Sequence, residues 1–343
     1  MSVIIEKDQV LGVASKVAAS FQKTAALPSY VRADILQKIS KAIEKNAEVF
    51  ARLICEEVKK PIKEARREVS RAVFTFGWAA EEAKRFGGEV LPLDLDPASA
   101  GRFALTKRFP RGPALLISPF NFPLNLVAHK IAPAIAVGSP FVLKPAPQAP
   151  KTAAKLLEII FQSGWPEDAA AVVVCSNEGA ESLVKSDFFS ILSFTGSAAV
   201  GWHLKSIAGK KHIILELGGN APLLISHDAD LEVAAQRACW GSFYYSGQVC
   251  ISVQRILVEA SCYEKFKSLF LKNMAALKIG NPKNEETDIG PLIDEKSAQR
   301  VEEWILEAKT GGARVLFGGQ RRGEIIEPTL IENASENCRY RRR

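Results

Sequence analysis

Cys250, Glu216 and Asn121 are side chains of the types that acyl chemistry needs. Cys250 sits in the run Phe243-Tyr-Tyr-Ser-Gly-Gln-Val-Cys250-Ile-Ser, 34 positions after Glu216 in Leu215-Glu216-Leu-Gly-Gly-Asn220. A thiolate can attack a carbonyl carbon and hold the acyl group as a thioester, and a carboxylate can activate the water that cleaves it. Asn121, in Ser118-Pro-Phe-Asn121-Phe-Pro123, offers a side-chain amide that, with a backbone N–H, can steady an oxyanion. Each residue also has an ordinary explanation. Cys250 can be a buried structural thiol, Glu216 a solvated or salt-bridged strand-end carboxylate, and Asn121 a turn residue capping the next helix.

Two further stretches look like nucleotide-binding elements. Gly196, Ser197 and Gly201, in Phe194-Thr-Gly196-Ser197-Ala-Ala-Val-Gly201, mark a strand-to-helix turn. Backbone N–H groups at such a helix start favour a phosphate, although Thr195-Gly196 also suits a plain tight βα turn. Lys144 ends an apolar run in Val142-Leu-Lys144-Pro145.

The elements that must position these groups are legible from pattern. Residues 8 to about 86 read as helices broken at Pro28 and Pro61, with apolar residues at helical spacing in 31–43. Residues 92–110 read as an extended excursion. Short apolar strands then alternate with helices: Ala114–Ser118, Phe141–Lys144, Ala171–Cys175, Ile191–Phe194 and His212–Glu216, with Pro123 opening a helix. Continuous apolar strands separated by helices imply a parallel sheet covered on both faces. A second α/β set comes after Pro222, with a helix over 230–245, a strand over 253–258, helices near 263–277 and 294–309, and a strand over 314–317. The fold class is α/β in two domains, with the candidate residues near their junction.

Composition agrees with that class: 343 residues, 47% hydrophobic, 24% charged and 23 glycines. The formal charge of +7 is spread along amphipathic helices and the tail Arg339-Tyr-Arg-Arg-Arg343, without interleaved aromatic residues. Nucleic acid is therefore not the expected partner, and attraction for an anionic cofactor is the better use of the charge. No apolar run suits a membrane helix and no signal-peptide pattern opens the chain, so a cytoplasmic location is expected. The six cysteines are scattered with no CxxC pair, so neither a metal site nor a disulfide framework is expected.

Together and in this order, the motifs resemble the aldehyde dehydrogenase superfamily from about residue 8 to about residue 332. The stretch Gly-Gln-Val-Cys-Ile-Ser-Val-Gln-Arg255 looks similar to family members that oxidise small polar aldehydes, such as lactaldehyde or non-phosphorylating glyceraldehyde-3-phosphate dehydrogenases. The resemblance implies a Rossmann-like cofactor domain of residues 1–91 and 111–218, an oligomerisation segment at 92–110, and an incomplete catalytic domain at 219–343. It makes Cys250 the nucleophile that forms a thiohemiacetal and then a thioester, Glu216 the base for hydrolysis, and Asn121 an oxyanion donor. Glu216 also speaks against a CoA-acylating relative. The implied cofactor, NAD or NADP, would be held by Ser118, Pro119, Phe120, Lys144, Gly196, Ser197, Gly201, Leu217 and Gly218. Pro147 stands where NAD-preferring relatives carry a glutamate that binds both ribose hydroxyls, so NADP is open. The substrate is a small aldehyde. Arg255 can bind an anionic substituent or sit in a salt bridge at a strand start.

The resemblance stops at the C-terminus. Relatives carry a Glu-x-Phe-Gly-Pro motif, whose glutamate holds the nicotinamide ribose, and then more than a hundred further residues including a dimer-forming strand. Here Cys338 leads into Arg339-Tyr-Arg-Arg-Arg343. One codon assignment for this tail, with a single base removed, gives Cys-Asp-Ile-Val-Val and restores the family's pattern, so a frameshift is expected. A weakened homo-oligomer, marginal stability and a tendency to associate are expected with it. Two other functions stay open: a catalytically inactive nucleotide-binding fragment, and a cofactor-free cysteine hydrolase. The latter lacks support because His129, His203, His212 and His227 lie outside any motif with Cys250.

Overall fold

The computed structural model describes residues 7–335. The expected departure at Cys338–Arg343 lies outside the described residues. Helices α1 (Lys7–Ala19), α2 (Phe21–Ala25) and α3 (Ser29–Lys45) come first. The helical spacing in α3 buries Leu36, Ile39 and Ile43 completely. Helix α4 (Ala47–Val58) stops at Lys59, whose φ of 56° is left-handed, and α5 (Ile62–Arg85) begins after Pro61. The excursion contains two short strands, β1 (Val90–Pro92) and β2 (Phe103–Leu105), paired antiparallel with Val90 opposite Leu105.

Then β3 (Ala114–Ile117), α6 (Asn125–Val137), β4 (Phe141–Lys144), α7 (Pro150–Gln162), β5 (Ala170–Val172), α8 (Asn177–Lys185), β6 (Ile191–Thr195), α9 (Ala198–Ile207) and β7 (His212–Glu216) alternate. The five strands form one parallel sheet in the order β5-β4-β3-β6-β7. Every residue of β3 and β4 is buried, as their unbroken apolar runs require. The chain leaves β3 first to one side and returns to the other at β6. Such a reversal opens a crevice at the carboxyl ends of the two strands. Helix α6 starts two residues later than Pro123 suggested. The amides of Leu124 and Asn125 at its start donate to the buried carboxylate of Glu68, at 2.9 and 3.1 Å.

The described residues divide into two compact units, one running up to Phe50 with Glu68–Glu216, the other comprising Ala51–Arg67 with Leu217 onward. The second unit contains β8 (Pro222–Ile225), α10 (Leu231–Phe243), β9 (Arg255–Val258), α11 (Tyr263–Ala275), α12 (Glu295–Thr310), β10 (Arg314–Phe317), β11 (Arg321–Arg322), β12 (Ile325–Ile326) and β13 (Leu330–Glu332). Strands β8 and β9 pair in parallel, while β10–β13 and β11–β12 pair antiparallel. Asp230 caps α10 by accepting from the Glu232 and Val233 amides. Phe266, Phe270 and Met274 of α11 pack with Ala235, Ala238 and Cys239 of α10 to form the core. Residues 51–67, which the sequence pattern grouped with the first domain, are tied into this unit by the ion pairs Lys59–Glu324 and Lys63–Asp288. Among the described residues no helix is long and apolar enough to cross a membrane.

Candidate active site

In the first unit, the sheet gathers most of the singled-out residues at the carboxyl ends of neighbouring strands. Ile117 stands opposite Lys144 on one side and Phe194 on the other, and Thr195 stands opposite Glu216. The next residues continue that contact: Ser118 N donates to Lys144 O at 3.1 Å, and Gly196 N donates to Glu216 O at 3.0 Å. Ser118, Pro119, Phe120 and Asn121 leave β3 at this edge. Ser118 Oγ is buried with no hydrogen-bond partner among the described residues. Asn121 is half-buried and Glu216 is exposed.

Gly196 is required here by space, not by its φ. A Cβ would lie 2.6 Å from the ring of Phe194, which is itself buried. Ser197 occupies the N-cap position of α9 in extended geometry and is exposed, and its side chain makes no cap bond. With no acidic residue in the first turn, this helix start can receive an anion. Gly201 is buried one turn on, its N–H donating to Ser197 O at 2.9 Å.

Two titratable residues of α6 were missed by motif reasoning. Lys130 is buried, and its ammonium donates to Ser193 Oγ at 2.8 Å. Burial pulls its pKa down to about 8, against the opposing pull of the Glu216 carboxylate. His129 lies one residue before it, with Nε2 3.4 Å from Asn125 Nδ2. Partial burial of the ring, then the charges of Arg71 and Lys130, hold this imidazole below its ordinary pKa, while Glu216 acts the other way. The guanidinium of Arg71 lies 5.7 Å from the ring centre of Phe122, next to Asn121. A single lysine in the largely apolar Asn125–Val137 helix was the available signal.

In the second unit, Cys250 is exposed on a loop held open by an unusual backbone. Tyr245, Ser246 and Gly247 have φ of 49°, 55° and 75°, three consecutive left-handed residues after α10. Two of them carry side chains, so the conformation costs on the order of 1–3 kcal/mol at each and needs outside support. The support is visible. Tyr245 is fully buried, its hydroxyl donates to Val58 O, and the Lys60 ammonium lies 4.6 Å over its ring. Ser246 Oγ donates to Gly290 O at 2.8 Å, and Gln248 Oε1 accepts from Ile293 N at 2.9 Å. Beyond the thiol, Ser252 Oγ donates to Ser242 O at 3.1 Å and Val253 N to Gly241 O at 3.0 Å.

The stretch after Glu216 is placed against this loop. A Cβ on Gly219 would lie 3.2 Å from Cys250 O. Leu217 is half-buried and Gly218 exposed. Arg255 forms no salt bridge among the described residues; its guanidinium donates to Asn220 O at 2.7 Å and steadies the same stretch. Cys239 and Cys262, in the same unit, are structural in setting. Burial pushes Cys239 up to about 11, and Cys262 is buried with its thiol against the Glu259 carbonyl at 3.4 Å.

A family model described as "Aldehyde dehydrogenase family" matches residues 5–342. The chain is 42% identical over 313 residues to the 3-sulfolactaldehyde dehydrogenase of Priestia aryabhattai, an alignment covering 90% of this chain and 65% of that protein. It thus spans less than two thirds of the length of this curated relative. Among solved structures, it superposes with a TM-score of 0.95 on aldehyde dehydrogenase 21 from Physcomitrella patens, determined with the reaction product succinate. That pair is 42% identical, covering 98% of this chain and 70% of the other. The glyceraldehyde-3-phosphate dehydrogenase GapN of Methanocaldococcus jannaschii, complexed with NADP, matches at a TM-score of 0.92 and 37% identity, over 96% of this chain and 72% of that one. The chain belongs to the aldehyde dehydrogenase family.

Proposed function

We infer that the protein oxidises a small aldehyde to a carboxylic acid with NAD(P)+ as hydride acceptor. The observation that carries this reading is the gathering of Ser118–Asn121, Lys144, Gly196–Ser197 and Glu216 at one edge of the parallel sheet, at its topological reversal. The residues there fit an anionic dinucleotide: an exposed helix start behind a glycine that admits no Cβ, a buried hydroxyl at Ser118, and a cation at Lys144. Ser118, Pro119, Phe120, Lys144, Gly196, Ser197, Gly201, Leu217 and Gly218 would hold it. When bound, it accepts the hydride from the substrate carbon.

The chain's own groups do the rest. Cys250 bonds to the aldehyde carbon, and Asn121 with the Cys250 N–H bears the oxyanion. Once the carbon is oxidised, Glu216 takes a proton from the water that cleaves the thioester.

The substrate class follows from charge. The three relatives are named for, or hold, a sulfonate, a phosphate or a carboxylate partner. Arg71, whose guanidinium lies 5.7 Å from the ring centre of Phe122, offers a cationic group beside the residue that follows Asn121. An aldehyde bearing an anionic group is therefore the substrate class. The β1–β2 hairpin, with Val90, Leu95, Phe103, Leu105 and Phe109 exposed, is the surface for a second copy.

The test is reduced-cofactor formation by the purified chain with an anionic short aldehyde, NAD or NADP, and Cys250→Ala as control. Turnover lost in the variant supports the reading. A folded chain that binds dinucleotide but never turns over is instead the inactive nucleotide-binding fragment.

A further inference from the structure

Among the described residues four that are not glycine have a left-handed φ, and three of them converge on one junction in the second unit. Lys59, at 56°, follows the end of α4, while Tyr245 and Ser246, at 49° and 55°, carry the chain toward Cys250. The joins between these two distant turns are specific. The Tyr245 hydroxyl donates to Val58 O, 187 positions away, a carbonyl at the C-terminus of α4 that its own helix leaves without a partner. The turn at Lys59 then brings the fully buried Lys60 over the Tyr245 ring, 4.6 Å from its centre. A buried ammonium persists only where its surroundings compensate it, and the ring face is one of the groups that does so.

Gly290 stands between the two turns. Its carbonyl accepts from Ser246 Oγ at 2.8 Å, and a Cβ on it would lie 3.1 Å from Lys59 O. The start of α5 is tied to the same stretch, with Ile62 N donating to Pro282 O at 2.8 Å.

These contacts bear on the thiol because of where the left-handed run falls. Only Gln248 and Val249 separate Gly247 from Cys250, so the dihedral angles of Tyr245 and Ser246 set the direction in which the chain delivers Cys250. Both residues prefer right-handed or extended backbone, and relaxing to it would re-aim everything that follows. At Tyr245 that relaxation is opposed by the turn Val58–Lys60, which is itself left-handed at Lys59.

We propose that the turn Val58–Lys60 braces the Cys250 loop, which makes Lys60 and Tyr245 positioning residues for the nucleophile and Gly290 the spacer between the two turns. This role rests on the reading of Cys250 as nucleophile. Both side chains are fully buried and act by keeping a strained backbone populated. Their loss lowers kcat in proportion to the fraction of chains whose loop stays in place, and leaves KM for the dinucleotide unchanged.

The full chain is compared as wild type, Tyr245→Phe, Lys60→Met, Ser246→Ala and Ser246→Gly. Melting temperature reports folding, and hydrogen exchange in the peptide spanning residues 243–252 reports the loop. Turnover of an anionic short aldehyde gives kcat and KM for NADP. Tyr245→Phe, which removes one hydroxyl, and Lys60→Met should speed exchange in that peptide about tenfold and lower kcat about tenfold at constant KM. Exchange in α11 should not change. Ser246→Ala loses the bond to Gly290 and keeps the strain, so it should follow them. Ser246→Gly loses the same bond, but glycine adopts this backbone freely, so its kcat should stay within about threefold of wild type. A role confined to stability predicts the same kcat per folded chain in both Ser246 variants, and that result would overturn the brace. So would a folded Tyr245→Phe with wild-type exchange, or one whose loop loosens while kcat holds, and this milder variant decides where Lys60→Met does not fold. A wild type that forms no reduced cofactor overturns the nucleophile reading and the positioning role with it.

Discussion

Gly219 lies so close to Cys250 that a Cβ on it would sit 3.2 Å from the Cys250 carbonyl oxygen, whereas a Cβ on Gly218 would meet nothing within 4 Å. The Gly-Gly pair after Glu216 thus has a steric reason at its second position. A Gly219→Ala variant must move the Cys250 loop by a few tenths of an ångström. Small displacements of a nucleophile are costly, so kcat falls by about tenfold with the melting temperature nearly unchanged. Unchanged kcat would show that the loop yields freely.

Lys130 ties stability to pH. Its folded pKa of about 8 lies below the 10.5 of an unperturbed lysine. Between these values the unfolded chain binds more protons than the folded one, so stability rises with pH across that window. Below about 8 both states are charged and the full burial cost is present. The span corresponds to on the order of 3 kcal/mol. Urea unfolding from pH 7 to 10 should show the wild type gaining stability relative to Lys130→Met, and parallel curves for the two proteins would contradict the assignment.

Gly196→Ala probes the turn that would receive the phosphates. Its Cβ would collide with Phe194, 2.6 Å away, and that ring is buried. Relief requires the turn to shift, costing about 1–3 kcal/mol of stability. Dinucleotide affinity should fall by about tenfold because the helix-start amides move with the turn. A variant with full affinity and an unchanged melting temperature would remove Gly196 from the site.

The parallel sheet was legible because its strands are short apolar runs bounded by turn residues. Phe141–Lys144 and His212–Glu216 fall where pattern put them. The strand expected at Ala171–Cys175 instead covers Ala170–Val172, and residues 173–176 form the loop that carries Cys175. Other features have no local signature. The grouping of residues 51–67 with the second unit depends on long-range pairs such as Lys63–Asp288. The left-handed run at Tyr245 and Ser246 contradicts the ordinary preference of both residues and exists only because buried contacts enforce it. The cap that Glu68 supplies to α6 comes from 56 positions away. In the candidate site, residue types and order were readable, whereas the burial of Lys130 and the role of Arg255 in holding Asn220 were not.

Glu216→Gln separates the two halves of the proposed reaction. Oxidation precedes hydrolysis, so the variant should release about one equivalent of reduced cofactor per chain in a burst. Steady turnover should then be slower by about 10²–10⁴-fold. A uniform loss with no burst would place Glu216 before the oxidation step.

The same variant gives the most direct measurement of the central claim. Glu216→Gln is mixed with NADP and an anionic short aldehyde, quenched in acid, digested and weighed by mass spectrometry. The account predicts a single acyl adduct on the peptide containing Cys250, absent when Cys250 is also replaced by alanine. No adduct despite reduced-cofactor formation, or an adduct on another cysteine, would contradict it.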